Sequence, residues 1–240
     1  MSYHARKNIV TDGLVFSIDA NNSLGGNSTD TKNLVNPSET GTFVNGTSVV
    51  NGAYDFDGVD DCIDFGNVYN NLLTDSGGNA NFTATAIINP TSGGSTNGYT
   101  IIGKWGVFTR GIVVSYQRDN GYMYIQSSTN GVDNIGWRTV NSFASGQDYS
   151  VTFIVDNNLT FGTGARRIFV NGVEQTIISF FGNPNLISIN SSTVADFNIS
   201  KVDSNDALFY GKISNLKIYN RTLTPTEIKQ NYEALKHRFE

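Results

Sequence analysis

Short apolar runs divided by turn residues set the pattern of this chain. In Val151-Thr152-Phe153-Ile154-Val155, Val151, Phe153 and Val155 share one face while Ile154 makes the other face apolar too. A strand covered on both sides needs that pattern. Leu14 to Ile18 opens the series, and a Gly/Asn/Ser/Thr-rich loop follows from Asn21 to Thr31. Strand patterns recur at Phe82 to Ile88, Thr100 to Gly103, Ile112 to Tyr116, Tyr122 to Gln126 and Tyr149 to Val155. They continue at Arg167 to Val170, Val173 to Ile178, Phe197 to Lys201 and Lys212 to Tyr219. Many short strands at this spacing predict an all-β antiparallel fold, and the length favours a two-sheet jelly-roll sandwich.

Turn chemistry supports the reading. Asn171-Gly172 lies between Ile168-Phe169-Val170 and Val173, the signature of a two-residue hairpin with both turn residues at positive φ. Asn120-Gly121 has the same chemistry, and Asn45-Gly46 and Asn51-Gly52 mark further turns. One helix is predicted, at the C-terminal end. Thr224 is its N-cap, Pro225 its first residue and Glu227 the partner in a capping box. Ile228, Tyr232, Leu235 and Phe239 form an apolar stripe, with Lys236, His237 and Arg238 near the negative end of the helix dipole. The stripe either packs on the chain's own sandwich or presents a partner-binding surface.

The segment Gly52 to Gly66 carries the densest chemistry. Tyr54 and Phe56 alternate with Asp55 and Asp57, Gly58 permits a reversal, and Cys62, Ile63 and Phe65 resume an apolar strand. Asp57, Asp60, Asp61 and Asp64 fall within eight positions. Two accounts compete. Asp in turns accepts backbone N–H bonds, whereas clustered carboxylates with turn carbonyls suit calcium, which takes six to eight oxygens. Asp57, Asp60 and Asp61, joined by Asp19, are the calcium candidates; no EF-hand spacing decides between the two accounts.

Composition narrows the function. Only 15% of the 240 residues are charged and the net charge is -5, which argues against nucleic-acid or anionic-membrane partners because both need clustered Lys and Arg. No run of about 18 apolar residues is present to span a bilayer. Met1 to Lys7 is polar without an apolar region behind it, so a secretory signal is not expected. Met1 to Thr11 reads as a leader, poorly ordered alone and a candidate anchoring arm. Cys62 is the single cysteine; it suits assembly in a reducing cytoplasm and reads as a small core residue.

Several segments together resemble the laminin-G-like, concanavalin A-like lectin/glucanase superfamily, in the form found in bacteriophage structural proteins and bacterial surface proteins. They are Asp12 to Ala20, Tyr54 to Phe65 as an acidic hairpin, Ile168 to Val173, and Gly211 to Thr224 leading into the helix. Phage virion proteins similar to this one share the short polar leader and an ending like Tyr232-Glu233-Ala234-Leu235-Lys236-His237-Arg238-Phe239. The resemblance implies a concanavalin A-like jelly roll over residues 12–222 between the leader 1–11 and a terminal helical segment 223–240. It also implies glycan or protein binding, sometimes with structural calcium.

Enzymatic readings find little support. Retaining glycosidases hold two carboxylates about 5–5.5 Å apart, and the glucanase relatives place them on one strand as Glu-x-Asp-x-x-Glu or Glu-x-Asp-x-Glu. This motif is absent; Glu39, Glu174, Glu227, Glu233 and Glu240 are scattered, and His4 and His237 sit at the two extremes. Glycan binding needs exposed aromatic faces near amides. Trp105, Trp137, Tyr99 and Tyr122 are the candidates, against the commoner fate of core burial. The expectation is a non-enzymatic virion module, a capsid decoration, head-fibre or tail adhesion protein, that binds host-surface glycans or other virion proteins and could form a homo-oligomer. It would sit on the virion surface after assembly in the host cytoplasm. The alternatives are an extracellular carbohydrate-binding lectin and, more weakly, a degenerate glucanase.

Overall fold

The computed structural model describes residues 8–22, 27–73, 81–93, 99–106, 110–128, 134–159, 165–182, 195–202 and 207–238. The first half runs β1 (Leu14–Asp19), β2 (Asp30–Lys32), β3 (Thr40–Val44), β4 (Ser48–Val50), β5 (Ala53–Asp57), β6 (Cys62–Asp64), α1 (Asn70–Leu73), β7 (Asn81–Pro90), β8 (Tyr99–Trp105) and β9 (Arg110–Gln117). The second half adds β10 (Tyr122–Ser128), β11 (Asn134–Thr139), β12 (Tyr149–Asp156), β13 (Arg166–Val170), β14 (Val173–Glu174), β15 (Ile177–Phe181), β16 (Phe197–Ile199), β17 (Tyr210–Tyr219) and α2 (Pro225–Leu235). A 3-10 turn at Lys236–Arg238 follows.

These strands form two antiparallel sheets. The eight-stranded sheet has the order β14-β13-β12-β7-β17-β5-β4, with β1 also on β17; the nine-stranded sheet has the order β15-β11-β10-β9-β8-β16-β6-β3-β2. A bulge between Ile213 and Asn215 divides β17 against its neighbour β7. On its other side β17 pairs first with β5 and then with β1. Inward residues of both sheets make one core, in which Phe16 meets Phe65 at 5.0 Å and Phe197 at 5.4 Å in edge-to-face contacts. This is the predicted sandwich. Among the described residues no helix is long and apolar enough to cross a membrane. Cys62 is buried in the sandwich and burial pushes its thiol up to about 11, as a core residue requires.

Several expectations need correction. Tyr54 to Phe65 is not a hairpin: β5 pairs with β17 and β4, whereas β6 pairs with β3 and β16. The chain arches from one sheet to the other, because Tyr54 and Phe56 enter the core from one side and Ile63 and Phe65 from the opposite side. Val173 to Ile178 is likewise two strands. Gln175 N–H donates to the Ile168 carbonyl at 2.8 Å in one sheet, and Val140 N–H donates to the Thr176 carbonyl at 2.9 Å in the other. The segment Asn21 to Thr31, read as loop, ends in the edge strand β2. Asn171-Gly172 forms the predicted hairpin with φ of 51° and 75°, and Asn51-Gly52 does the same at 53° and 74° between β4 and β5. At Asn120-Gly121 only Gly121 takes positive φ, and the loop is longer: its N–H donates to the Gln117 carbonyl at 2.7 Å.

The helix starts as predicted. The Glu227 N–H donates to Thr224 Oγ1 at 3.3 Å, the Thr224 N–H donates to Glu227 Oε2 at 2.8 Å, and Arg221 holds the same carboxylate at 2.6 and 3.1 Å. Its buried face differs from the apolar stripe, being Ile228, Asn231 and Ala234. Ile228 is 2% exposed against Val10, Ile154, Phe169, Tyr219 and Leu223, so it is not free for a partner. Tyr232 lies over Gly172 and Leu235 is half-buried; Phe239 lies outside the described residues. Asn231 tolerates burial because its polar atoms are matched. Its Oδ1 accepts the Val10 N–H at 2.8 Å, its Nδ2 donates to Tyr219 Oη at 3.0 Å, and that hydroxyl donates to the Val10 carbonyl at 3.0 Å. The end of the expected leader, residues 8–11, is therefore docked on the domain itself.

Candidate functional site

The acidic arch is organised by Asp61. Its Oδ1 accepts the Gly46 N–H at 2.7 Å and its Oδ2 accepts the Asp57 N–H at 3.0 Å, which ties the arch to the β3–β4 turn. Burial raises the pKa of Asp61 despite these bonds, with Asp57 and Asp60 adding to the rise. Asp57 Oδ1 accepts the Val59 N–H at 2.8 Å and the Asp60 N–H at 3.4 Å. Ligand atoms of Asp57, Asp60 and Asp61 lie within 4.8 Å of one another, and Asp57 and Asp60 are exposed. Turn chemistry thus accounts for Asp61 and half of Asp57, while the remaining oxygens are sterically able to meet a cation.

Asp19 does not join this group. Arg238 grips its carboxylate with two bonds of 2.7 and 2.8 Å. Burial works against the charge, but Arg238, the Asn21 N–H and nearby Lys217 outweigh it and hold Asp19 below the ordinary carboxylate range. Lys217 is itself buried beside this pair and is pushed down to about 8 by desolvation. Asp19 therefore fastens the C-terminal turn to β1, with both carboxylate oxygens engaged by Arg238 rather than turned to the Asp57, Asp60 and Asp61 group as a calcium ligand.

The aromatic candidates separate. Tyr99 is 0% exposed, stacked on Tyr116 at 6.0 Å and packed on Phe209 at 5.8 Å, with its hydroxyl donating to the Gly93 carbonyl. Trp137 is 2% exposed between the sheets, with the Arg166 guanidinium 5.1 Å from its ring centre. Neither can offer a face to a ligand. Trp137 pairs with Ile125 across β10 and β11, and that register points both side chains inward. Trp105 is half-buried at the end of β8.

Tyr122 leads to a site that sequence reasoning missed. On the outer face of the nine-stranded sheet, Tyr122, Tyr124 and Gln126 alternate with the buried Met123 and Ile125. Arg138, opposite Tyr124, lays its guanidinium 3.9 Å from the Tyr122 ring centre and 5.9 Å from that of Phe180. The edge strand β15 then completes the surface. A register shift between Gly136 and Trp137 leaves Phe180 as the extra residue of a bulge, so Phe180 and Phe181 both settle over Gly136. Their rings meet at 4.5 Å, and Tyr124 reaches Phe180 at 5.0 Å and Phe181 at 6.3 Å. Gly136 is needed there: a Cβ would stand 2.6 Å from Phe181 Cε1 and 2.9 Å from Phe180 Cε1. Tyr124 Oη donates to Gln126 Oε1 at 2.6 Å, and burial raises its phenol pKa. Ile178 and Phe180 remain 42% and 38% exposed. The result is a ring platform bordered by a guanidinium and an amide.

Comparison with known proteins agrees with the architecture. The family described as the concanavalin A-like lectin/glucanases superfamily matches residues 66–229, more than half of the sequence. The chain is a member of the concanavalin A-like lectin/glucanase superfamily. No curated protein matches it in sequence. Among solved structures, Trypanosoma rangeli sialidase superposes with a TM-score of 0.65 at 14% identity, over 95% of this chain and 34% of the sialidase. The lectin-like domain thus spans about a third of that enzyme's length. Domain 4 of AbnA, a GH43 extracellular arabinanase from Geobacillus stearothermophilus, in complex with arabinotriose, superposes with a TM-score of 0.59 at 22% identity. That match covers 91% of this chain and 98% of the arabinanase domain. At these identities the likeness is one of fold.

Proposed function

We propose that this lectin-like domain is a non-catalytic glycan-binding module that takes its ligand on the outer face of the nine-stranded sheet. The observation that carries the reading is the platform of Tyr122, Tyr124, Phe180 and Phe181 beside Gln126 and Arg138. Sugar rings present an apolar C–H face to aromatic rings and a rim of hydroxyls to amide and guanidinium groups, and this surface offers both. The arabinanase domain bound to arabinotriose supports it as a fold precedent. A non-catalytic role is supported by the glutamates. Glu39 accepts bonds from Asn33 and Tyr69, Glu174 is paired with Arg167, Glu227 with Arg221, and Glu233 with Lys236. Glycan-array binding by the purified chain tests the proposal. Phe180→Ala should weaken binding about tenfold or more while keeping the parent's β-sheet circular dichroism and a cooperative melt; full binding by that variant moves the site elsewhere.

We further infer that the module is displayed on a bacteriophage particle. The resemblance of Tyr54 to Phe65 and Gly211 to Thr224 to phage structural proteins supports this setting. Mass spectrometry of purified particles should recover the chain in stoichiometric amount. Its absence from particles, with glycan binding intact, favours an extracellular lectin.

A further inference from the structure

We infer that the glycan taken by the platform carries a carboxylate, as uronic and sialic acids do, and that Arg138 is the residue that selects it. The inference rests on the glycan-binding reading and adds the ligand's charge. It starts from how this protein treats its arginines. Arg118 pairs with Asp119 at 2.7 Å, Arg167 with Glu174 at 2.7 Å, Arg221 with Glu227 at 2.6 Å and Arg238 with Asp19 at 2.7 Å. Arg166 is buried against Trp137. Arg138 differs: it is half-buried on the binding face, and among the described residues no carboxylate lies within ion-pair distance of it. One of its N–H groups donates to the Thr139 carbonyl at 3.3 Å; a guanidinium has five such donors.

The surroundings deepen the contrast. The chain carries a net charge of -5, yet no charged residue occurs between Glu174 and Asp196, the stretch that contains β15. The outward side chains of β10 are Tyr122, Tyr124 and Gln126, all uncharged. Among the described residues Arg138 is thus the sole formal charge of the platform, its guanidinium carbon 3.9 Å from the Tyr122 ring centre. Contact with the ring restricts the guanidinium, and its planar fork is suited to two parallel N–H···O bonds with a carboxylate. A pyranose stacked on Phe180 and Tyr124 would place a ring carboxylate within reach of that fork. A neutral sugar would leave most of the guanidinium donors to water.

The test uses matched probes on the full chain, by isothermal titration calorimetry at low and physiological salt. The pairs are 3′-sialyllactose against lactose, and trigalacturonic acid against its methyl ester. The acidic member of at least one pair should bind about tenfold more tightly, with the preference shrinking as salt rises. Arg138→Gln should abolish the preference, bringing the acidic probe of each pair to the affinity of its neutral partner. Should Arg138→Gln fail to fold, Arg138→Lys takes its place, and loss of most of the preference is expected because the planar fork is gone. Equal affinity within both pairs, or a preference unchanged in the variant, overturns the inference. Array binding confined to neutral glycans also overturns it but leaves the glycan-binding reading standing, whereas no glycan binding at all defeats both.

Discussion

Replacing Gly136 by alanine should damage the binding face while sparing the fold. The added Cβ would sit 2.6 and 2.7 Å from two Phe181 ring atoms and 2.9 Å from a Phe180 ring atom, well inside contact distance. All three atoms are the far ends of side chains, and both rings lie on the outer face, so rotation away from residue 136 relieves the clash. That rotation breaks the aromatic pairing of the platform. Phe180 meets Phe181 at 4.5 Å and Tyr124 at 5.0 Å, and each aromatic pair contributes about 0.5–1.5 kcal/mol. Removing both costs roughly 1–3 kcal/mol on that basis, offset by about 0.4–1 kcal/mol because alanine reduces the freedom of the unfolded chain. The net destabilisation should be about 0–2.5 kcal/mol, measurable by urea denaturation. A dispersed platform should weaken binding of the best array glycan tenfold or more, which corresponds to about 1.4 kcal/mol. A variant that binds like the parent refutes the platform. One destabilised by more than about 4 kcal/mol refutes the claim that the rings can swing clear, since losses of that size signal core disruption.

Three other expectations address the rest of the molecule. Asn231→Ala removes the acceptor of the buried Val10 N–H and the donor to Tyr219, so unfolding free energy should fall by about 2–4 kcal/mol; a loss under about half a kcal/mol would mean residues 8–11 are not docked. Asp61→Ala strands the Gly46 and Asp57 N–H groups and should lower stability by roughly 2–4 kcal/mol, whereas chelator should leave the melting temperature of the parent unchanged because Asp61 is committed to the arch. A chelator-induced drop of several degrees that Asp60→Ala abolishes would instead establish Asp57, Asp60 and Asp61 as a calcium site. Glu227 is pulled down to about 2 from 4.5, chiefly by its bonds from Arg221. A folded pKa below the unfolded one gives stability that is present above about 4.5 and lost as pH falls toward 2. Glu227→Gln should flatten that acid limb; an unchanged profile argues against the capping assignment.

Elements whose causes are local could be read from the sequence. Asn171-Gly172 needed only its own φ preferences, and α2 needed only Thr224, Pro225 and Glu227, which satisfy the first turn of the helix among themselves. The strands Leu14 to Ile18 and Tyr149 to Val155 were visible because apolar residues recur on both faces, interrupted only by Ser17, Ser150 and Thr152. Partner choice was not visible. Nothing in Tyr54 to Phe65 states that the two halves belong to different sheets; that depends on Gly46, fifteen residues upstream of Asp61, whose N–H captures its carboxylate. Of the short strands, β2 is polar, β3 turns apolar only at Phe43 and Val44, and β4 exposes Val49 and Val50, so none announces a buried face and each is held by the hydrogen bonds of its neighbours.

The binding face was partly legible. Tyr122, Tyr124 and Gln126 alternate with Met123 and Ile125, so the two tyrosines were bound to share a side of their strand. Nothing local, however, shows that Phe180 lies beside them, because β15 joins this face through β11 and Phe180 is more than fifty residues of chain from Tyr124, whereas Arg138 arrives by the nearer pairing of β10 with β11. The bulge matters most. A regular strand would send Phe180 and Phe181 to opposite sides, and only the register shift opposite Gly136 brings both rings to one side. Sequence reasoning offers Trp137 as one of four aromatic candidates, against core burial as the commoner fate, and passes over the glycine before it. In the folded protein their roles are exchanged: Trp137 pairs inward with Ile125 and fills the core, and Gly136, by lacking a side chain, clears the space in which the platform assembles.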